Sequence, residues 1–303
     1  MRIEGIERMA GGASRETWVL TAGGERLVLR RDPPGHLVES SRRAERALLE
    51  AAAAAGVPVP RVRWLEEDFA VLGSAFLVMD FVPGETIGPK ILRDPALAAA
   101  RAVLPEQIAA AAARIHAMPP AVLGAAAPAA TAPAVAELAR YEGIYRQITP
   151  DPHPALELGL RWLAARAPAR TRRAVVHGDF RLGNFIVGPE GLRAVLDWEL
   201  AHAGDPMEDL GWLCVRAWRF GAEPPVGGLC ERERLFAAYE RAGGAPVDPA
   251  VVRWWEVFGN LKWAVICIMQ AQTFLGGVKN VELASLGRRV AEVELELLDL
   301  TEA

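Results

Sequence analysis

Residues 175–199 read V-V-H-G-D-F-R-L-G-N-F-I-V-G-P-E-G-L-R-A-V-L-D-W-E, and they restrict the fold more than any other stretch. Two short apolar runs, 185–187 and 192–196, flank Gly188-Pro189-Glu190-Gly191, a pattern that predicts a β-hairpin with a glycine-bearing turn. Pairing of the two strands sets Asn184, just before the first, near Asp197, just after the second. Asp179 stands a few residues upstream, in the loop that leads in. Two carboxylates and an amide converging at a strand end suit a hard divalent cation that takes oxygen ligands. Magnesium with bound phosphate is the natural occupant. The competing reading makes His177-Gly178-Asp179 a turn and Asp197 a helix cap.

At 303 residues and 51% hydrophobic content the chain has ample material for one large domain or two lobes. A formal charge of -4 supplies no field for nucleic acid or an anionic membrane. The balance points to a small-molecule enzyme. Cys214, Cys230 and Cys267 are dispersed and form no C-x-x-C pair, so neither a disulfide framework nor a zinc site is indicated, and a reducing cytoplasm is expected. The first residues lack the apolar core of a signal peptide, and the apolar run 263–269 is far too short to cross a bilayer.

Along the chain, Gly11-Gly12-Ala13-Ser14 precedes a strand pattern at 17–20, and Gly23-Gly24 separates it from a second at 27–30. A hairpin with a glycine-rich entry loop is expected, and such a loop brings backbone N–H groups near phosphate oxygens. Residues 40–55 are rich in Ala, Leu, Glu and Arg between a serine and Gly56, which predicts a capped helix. A short strand at 76–79 is broken by Asp80-Phe81-Val82-Pro83-Gly84. Helices are expected over 96–116, 134–147, 154–167, 231–242, 249–274 and 281–300, with an Ala/Pro-rich linker at 117–133. His116 reads as a helix-end residue. The aromatic density of Trp254, Trp255, Phe258 and Trp263 reads as core.

His177-Gly178-Asp179 with Asn184, followed by Asp197, resembles the catalytic and metal-binding loops of the protein kinase-like fold, in the version carried by the aminoglycoside phosphotransferase and choline kinase family. The surroundings of Leu29-Arg30-Arg31, Leu196-Asp197-Trp198-Glu199 and residues 254–270 look most like the branch of kinase-like domains found beside acyl-CoA dehydrogenases. The resemblance implies an α+β, bilobal protein kinase-like fold: a small mixed α/β N-terminal lobe (1–82), then a larger, mostly helical C-terminal lobe (83–303), with nucleotide between them.

It further implies transfer of the γ-phosphoryl group of ATP, with Mg²⁺, to a small-molecule hydroxyl. In these roles Asp179 is the base, Arg181 a cation for the transferred phosphoryl, and Asn184 and Asp197 the metal ligands, with Glu199 reaching a metal through water. The nucleotide side would comprise Gly12 and Ser14 of the glycine loop, Arg30 where the family normally has lysine, its partner Glu45, and backbone groups of Asp80 and Val82 at the hinge. Gly204-Asp205-Pro206 resembles the family's post-metal segment, with Asp205 as a helix cap and Asp209 steadying the catalytic loop. The acceptor is left open among a hydroxyacyl thioester, an aminoglycoside and other alcohols. A catalytically silent nucleotide-binding pseudokinase stays open because of Arg30. A protein kinase is disfavoured by the absence of D-F-G and A-P-E segments.

Overall fold

The computed structural model describes residues 2–9, 16–31, 41–126, 132–149, 151–169, 172–278 and 280–302. Gly12 and Ser14, expected at the nucleotide phosphates, lie outside the described residues.

The chain begins with a five-stranded antiparallel sheet in the order β1-β2-β3-β5-β4, formed by β1 (Ile3–Arg8), β2 (Glu16–Ala22), β3 (Glu25–Arg31), β4 (Val62–Glu66) and β5 (Phe76–Asp80). Gly23 and Gly24 have φ of 60° and 77°, the left-handed pair that a two-residue hairpin between β2 and β3 requires. Leu20, Leu27, Leu29 and Phe76 form the apolar cluster of this sheet. β1 and β4 are edge strands outside the sequence expectation. β1 is exposed along nearly its whole length, so it carries little of the alternation that would betray it.

Helix α1 (Arg42–Ala54) packs beside the sheet, and Ser41 caps it by accepting from the Ala44 N–H. It buries Leu48, Leu49 and Ala52. A four-residue turn of helix, α2 (Phe69–Leu72), precedes β5. After Asp80 the chain crosses to a helical portion: α3 (Gly88–Arg93), α4 (Ala98–His116), α5 (Pro133–Ile148), α6 (Pro154–Ala165), α7 (Pro206–Cys214), α8 (Arg232–Arg241), α9 (Pro249–Leu275), α10 (Val281–Gly287) and α11 (Val290–Glu302). Its core runs from α4 through α7 and α9 to α11, with Trp254, Trp255 and Phe258 fully enclosed. The single helix expected over 281–300 is two, because the chain turns at Arg288-Arg289. Part of the expected linker at 117–133 is 3-10 helix, Pro120–Ala126, broken at Gly124 with φ 56°.

Within the helical portion, between α6 and α7 in the chain, lie β6 (Ala174–Val176), β7 (Phe185–Gly188), β8 (Gly191–Val195) and β9 (His202–Gly204). β7 and β8 form the expected hairpin, while β6 pairs with β9. The hairpin is tied once to the segment just past β5 and once to the N-terminal portion. Glu85 and Val187 exchange both backbone hydrogen bonds at 2.9 Å, and the Val195 N–H donates to the Pro58 carbonyl at 2.8 Å. The fold is therefore α+β and kinase-like, a lobe of antiparallel sheet and helix joined to a helical one.

Candidate active site

The loop between β6 and β7 carries His177, Gly178 and Asp179, and its backbone is fixed from three directions. The buried Asp209 carboxylate accepts the N–H groups of His177 (2.8 Å) and Gly178 (2.9 Å). Gly178 sits at φ 78°, and a Cβ there would come within 2.4 Å of the Leu200 carbonyl, so only glycine fits between histidine and aspartate. The His177 ring joins the loop to the strand end beyond β8. Its Nε2–H donates to the Leu196 carbonyl (2.8 Å), and its Nδ1 accepts from the Asp179 N–H (3.2 Å). Complete burial pushes the His177 pKa below the ordinary value, which keeps it in the neutral form this arrangement needs.

Asp179, expected as the base, receives three donors. Arg181 Nε (2.9 Å) and Trp212 Nε1 (2.8 Å) reach Oδ1, and Asn184 Nδ2 (2.6 Å) reaches Oδ2. Arg181 lies with its guanidinium 4.3 Å from the centroid of Trp218. Trp218 in turn contacts Trp212 and Trp263 at ring separations of 5.2 and 4.9 Å. Asn184 and Asp197 are brought together by the hairpin register, because the Leu196 N–H donates to the Asn184 carbonyl at 2.8 Å. Asp197 adopts left-handed backbone (φ 59°, ψ 64°), a conformation uncommon outside glycine and tolerated by aspartate. The donor set offered here, an amide oxygen and a carboxylate on adjoining strand ends, fits magnesium, with phosphate oxygens and water completing the shell. Glu199 stands exposed one residue beyond Trp198.

From the sheet, Arg30 reaches the same place. Its Nη2 donates to Asp197 Oδ1 at 2.5 Å and its Nη1 lies 3.5 Å from Glu45 Oε1. Burial disfavours the charge, yet Asp197 and Glu45 more than offset it and raise the Arg30 pKa. Glu45 itself is held by Arg42 on the same helix. Of the two hinge residues, Asp80 has its N–H engaged by the Arg61 carbonyl (2.9 Å) and its carboxylate by Arg63 (2.5 Å). The backbone of Val82 is the other group expected at a nucleobase.

Four side chains near the loop lay outside the sequence expectation in this role: Trp212, His116, Tyr239 and Lys262. His116, at the end of α4, has its Nε2 3.0 Å from Asp209 Oδ2 and its Nδ1 2.8 Å from the Tyr239 hydroxyl, extending the support behind the loop. Burial raises the Asp209 pKa, but the His116 hydrogen bond and charge outweigh it and leave a net lowering. Their sequence positions gave no signal, since each lies tens of residues from the loop on a separate helix. Asp205 caps α7 by accepting from the Met207 N–H at 2.9 Å.

Residues 5–255 match the phosphotransferase enzyme family. Among curated proteins, the chain is 32% identical over 231 residues to acyl-CoA dehydrogenase family member 10 of Mus musculus, covering 73% of this chain and 21% of that one. It is 30% identical over 257 residues to acyl-CoA dehydrogenase family member 11 of Homo sapiens, covering 79% and 32%. The chain thus spans between a fifth and a third of the length of these relatives. Among solved structures, it resembles aminoglycoside phosphotransferase APH(4)-Ia in ternary complex with AMP-PNP and hygromycin B (TM-score 0.70, 16% identity, 99% of this chain and 94% of that one). It also resembles spectinomycin phosphotransferase APH(9)-Ia in complex with ADP and spectinomycin (TM-score 0.70, 12% identity, 99% and 94%). No helix among the described residues is long and apolar enough to cross a membrane.

Proposed function

The chain belongs to the phosphotransferase enzyme family, and on that premise we propose that it moves the γ-phosphoryl group of MgATP to a hydroxyl of a small molecule. The observation that carries this reading is the convergence of Arg30 from the sheet, Glu45 from α1, and Asp179, Asn184 and Asp197 from the loops flanking the hairpin. Phosphoryl transfer asks a protein mainly to position reactants and neutralise charge, and this set is suited to both tasks.

In this reading the acceptor O–H faces Asp179, whose carboxylate takes the proton as the acceptor oxygen bonds to the γ-phosphorus and the bond to the bridging oxygen breaks, releasing ADP. Asn184 and Asp197 would hold magnesium, which would supply positive charge against the phosphates. Arg30, steadied by Glu45, faces the phosphates, and the Val82 backbone faces adenine. Arg181 balances charge on the transferred group while holding Asp179. We divide the chain into lobes at residue 82, and a reducing cytoplasm suits its three free, buried cysteines.

A hydroxyacyl thioester is the acceptor we favour, because the curated relatives whose partial length this chain matches are named as acyl-CoA dehydrogenase family members. A cavity of about 550 Å³ near the Trp218–Trp263 pair is lined by Trp263, Phe220, Arg289, Glu292 and an Arg216–Glu296 pair at 3.0 Å, and offers such a molecule an apolar wall beside groups of both charges. Arg30 in place of lysine supports a second reading, a nucleotide-binding protein without turnover. The test is ADP release from MgATP across hydroxyacyl-CoA thioesters, aminoglycosides, choline, sugars and homoserine, with Asp179→Ala beside the wild type. Turnover with one class that the variant loses by about 10²–10⁴-fold in kcat supports the kinase. MgATP binding with no turnover on any class favours the silent reading.

A further inference from the structure

Lys90, Lys262 and Lys279 are the only lysines in a chain whose cationic residues are otherwise arginine, and Lys262 is buried in the middle of α9. A buried ammonium costs several kcal/mol unless it is fully partnered. Its Nζ donates to the Gly178 carbonyl at 2.8 Å, approaches Glu208 Oε1 at 3.4 Å, and lies 4.7 and 5.6 Å from the ring centroids of Trp212 and Tyr141. Glu208 also takes His202 Nε2 at 3.1 Å. Ligand atoms of Glu137, His202 and Glu208 come within 4.8 Å of one another, a spacing that would admit a metal ion. With the Lys262 ammonium already beside Glu208 and the His202 imidazole hydrogen-bonded to it, this cluster balances its own charge.

The Gly178 carbonyl and the Asp179 N–H belong to one planar peptide unit. Lys262 holds the oxygen end and His177 Nδ1 holds the nitrogen end, so the unit that launches Asp179 cannot rotate. The same ammonium lies over the face of Trp212, whose Nε1–H is bonded to Asp179 Oδ1. A cation on the π face draws density from the indole and strengthens that donor. We propose that Lys262 is a positioning residue for phosphoryl transfer, setting the Asp179 carboxylate in its working direction through the Gly178 carbonyl and through the Trp212 indole. This rests on the reading of Asp179 as the base. Misplacement of a reacting group by about 1 Å can cost on the order of 10²-fold in rate.

The experiment compares Lys262→Met, Trp212→Phe and the double variant with the wild-type chain. The Trp212 indole resonance is identified by its loss in Trp212→Phe. In Lys262→Met that resonance should shift, hydrogen exchange over residues 176–182 should quicken by about tenfold, and MgATP affinity should stay within about twofold. These measurements need no acceptor, so they stand whether or not the proposed reaction does. With a turned-over acceptor, kcat should fall at least about tenfold at constant KM for MgATP, and the double variant should be no worse than the poorer single. A folded Lys262→Met with unchanged indole resonance and exchange overturns the proposal, as do losses in kcat that simply add. If Lys262→Met does not fold, Trp212→Phe, which keeps an aromatic face but replaces the indole with a smaller ring that has no N–H, carries the test: kcat equal to wild type overturns it.

Discussion

Arg30 and Asp197 stand 167 positions apart and meet at 2.5 Å, one at the end of a sheet strand and the other just past the hairpin. The contact links the sheet lobe to the loop that follows the hairpin, and Glu45 holds the arginine from behind. A hydrogen bond to a charged group contributes about 1.5–3 kcal/mol, which is about a ten- to hundredfold change in an equilibrium. Arg30→Ala should therefore weaken MgATP binding by at least about tenfold in isothermal titration. Arg30→Lys keeps the charge but not the two-pronged reach to Asp197 and Glu45, and should fall between. Unchanged affinity in the alanine variant would remove Arg30 from the nucleotide site.

Asp197 carries the metal assignment with Asn184. Chelating magnesium with EDTA should lower the affinity of the wild type for ATP, whereas Asp197→Ala should bind ATP weakly and almost equally with or without the metal. Titrations at matched ionic strength check this, and a full magnesium dependence surviving in Asp197→Ala would refute it.

His202 governs a pH dependence of stability. Burial opposes its charge, but the Glu208 carboxylate overrides this and the pKa is pushed up to about 9 from an ordinary 6.5. A folded-state value above the unfolded one means that the stabilisation is complete below about pH 6.5 and is lost as pH rises through about 9. The group contributes on the order of 2–3 kcal/mol at pH 7 and almost nothing by pH 10. Urea unfolding of wild type and His202→Gln should show a gap that closes by that amount between these two pH values. A gap that stays constant would show that His202 is not charged in the folded protein.

Asp209 is buried, and its two carboxylate oxygens accept the His177 and Gly178 N–H groups. Asp209→Ala leaves those donors and His116 without their partner inside the core. Each buried donor left unpaired costs about 1–3 kcal/mol, so a loss of several kcal/mol is expected. Tyr239→Phe, which removes only the outer hydroxyl on His116, should cost about 1 kcal/mol. Chemical denaturation separates the two, and equal effects would mean that the loop does not depend on the carboxylate.

By itself the sequence determined what is local. The hairpin, its glycine turn, the α1 cap and the placing of Asn184 beside Asp197 follow from strand alternation, turn residues and short-range register, because those interactions are made within a few dozen residues. The pairing of Arg30 with Glu45, implied by resemblance, is also found in the fold. Tertiary structure decided the rest. The edge strands β1 and β4 show no readable pattern because edge strands bury little of either face. The turn at Arg288-Arg289 separates two helices whose apolar spacing reads as one. Lys262, Trp212 and His116 became neighbours of the His177–Asp179 loop only when α9, α7 and α4 closed around it. A buried lysine on a helix otherwise patterned for packing has no local signature, since the carbonyl that accepts its proton lies 84 positions away.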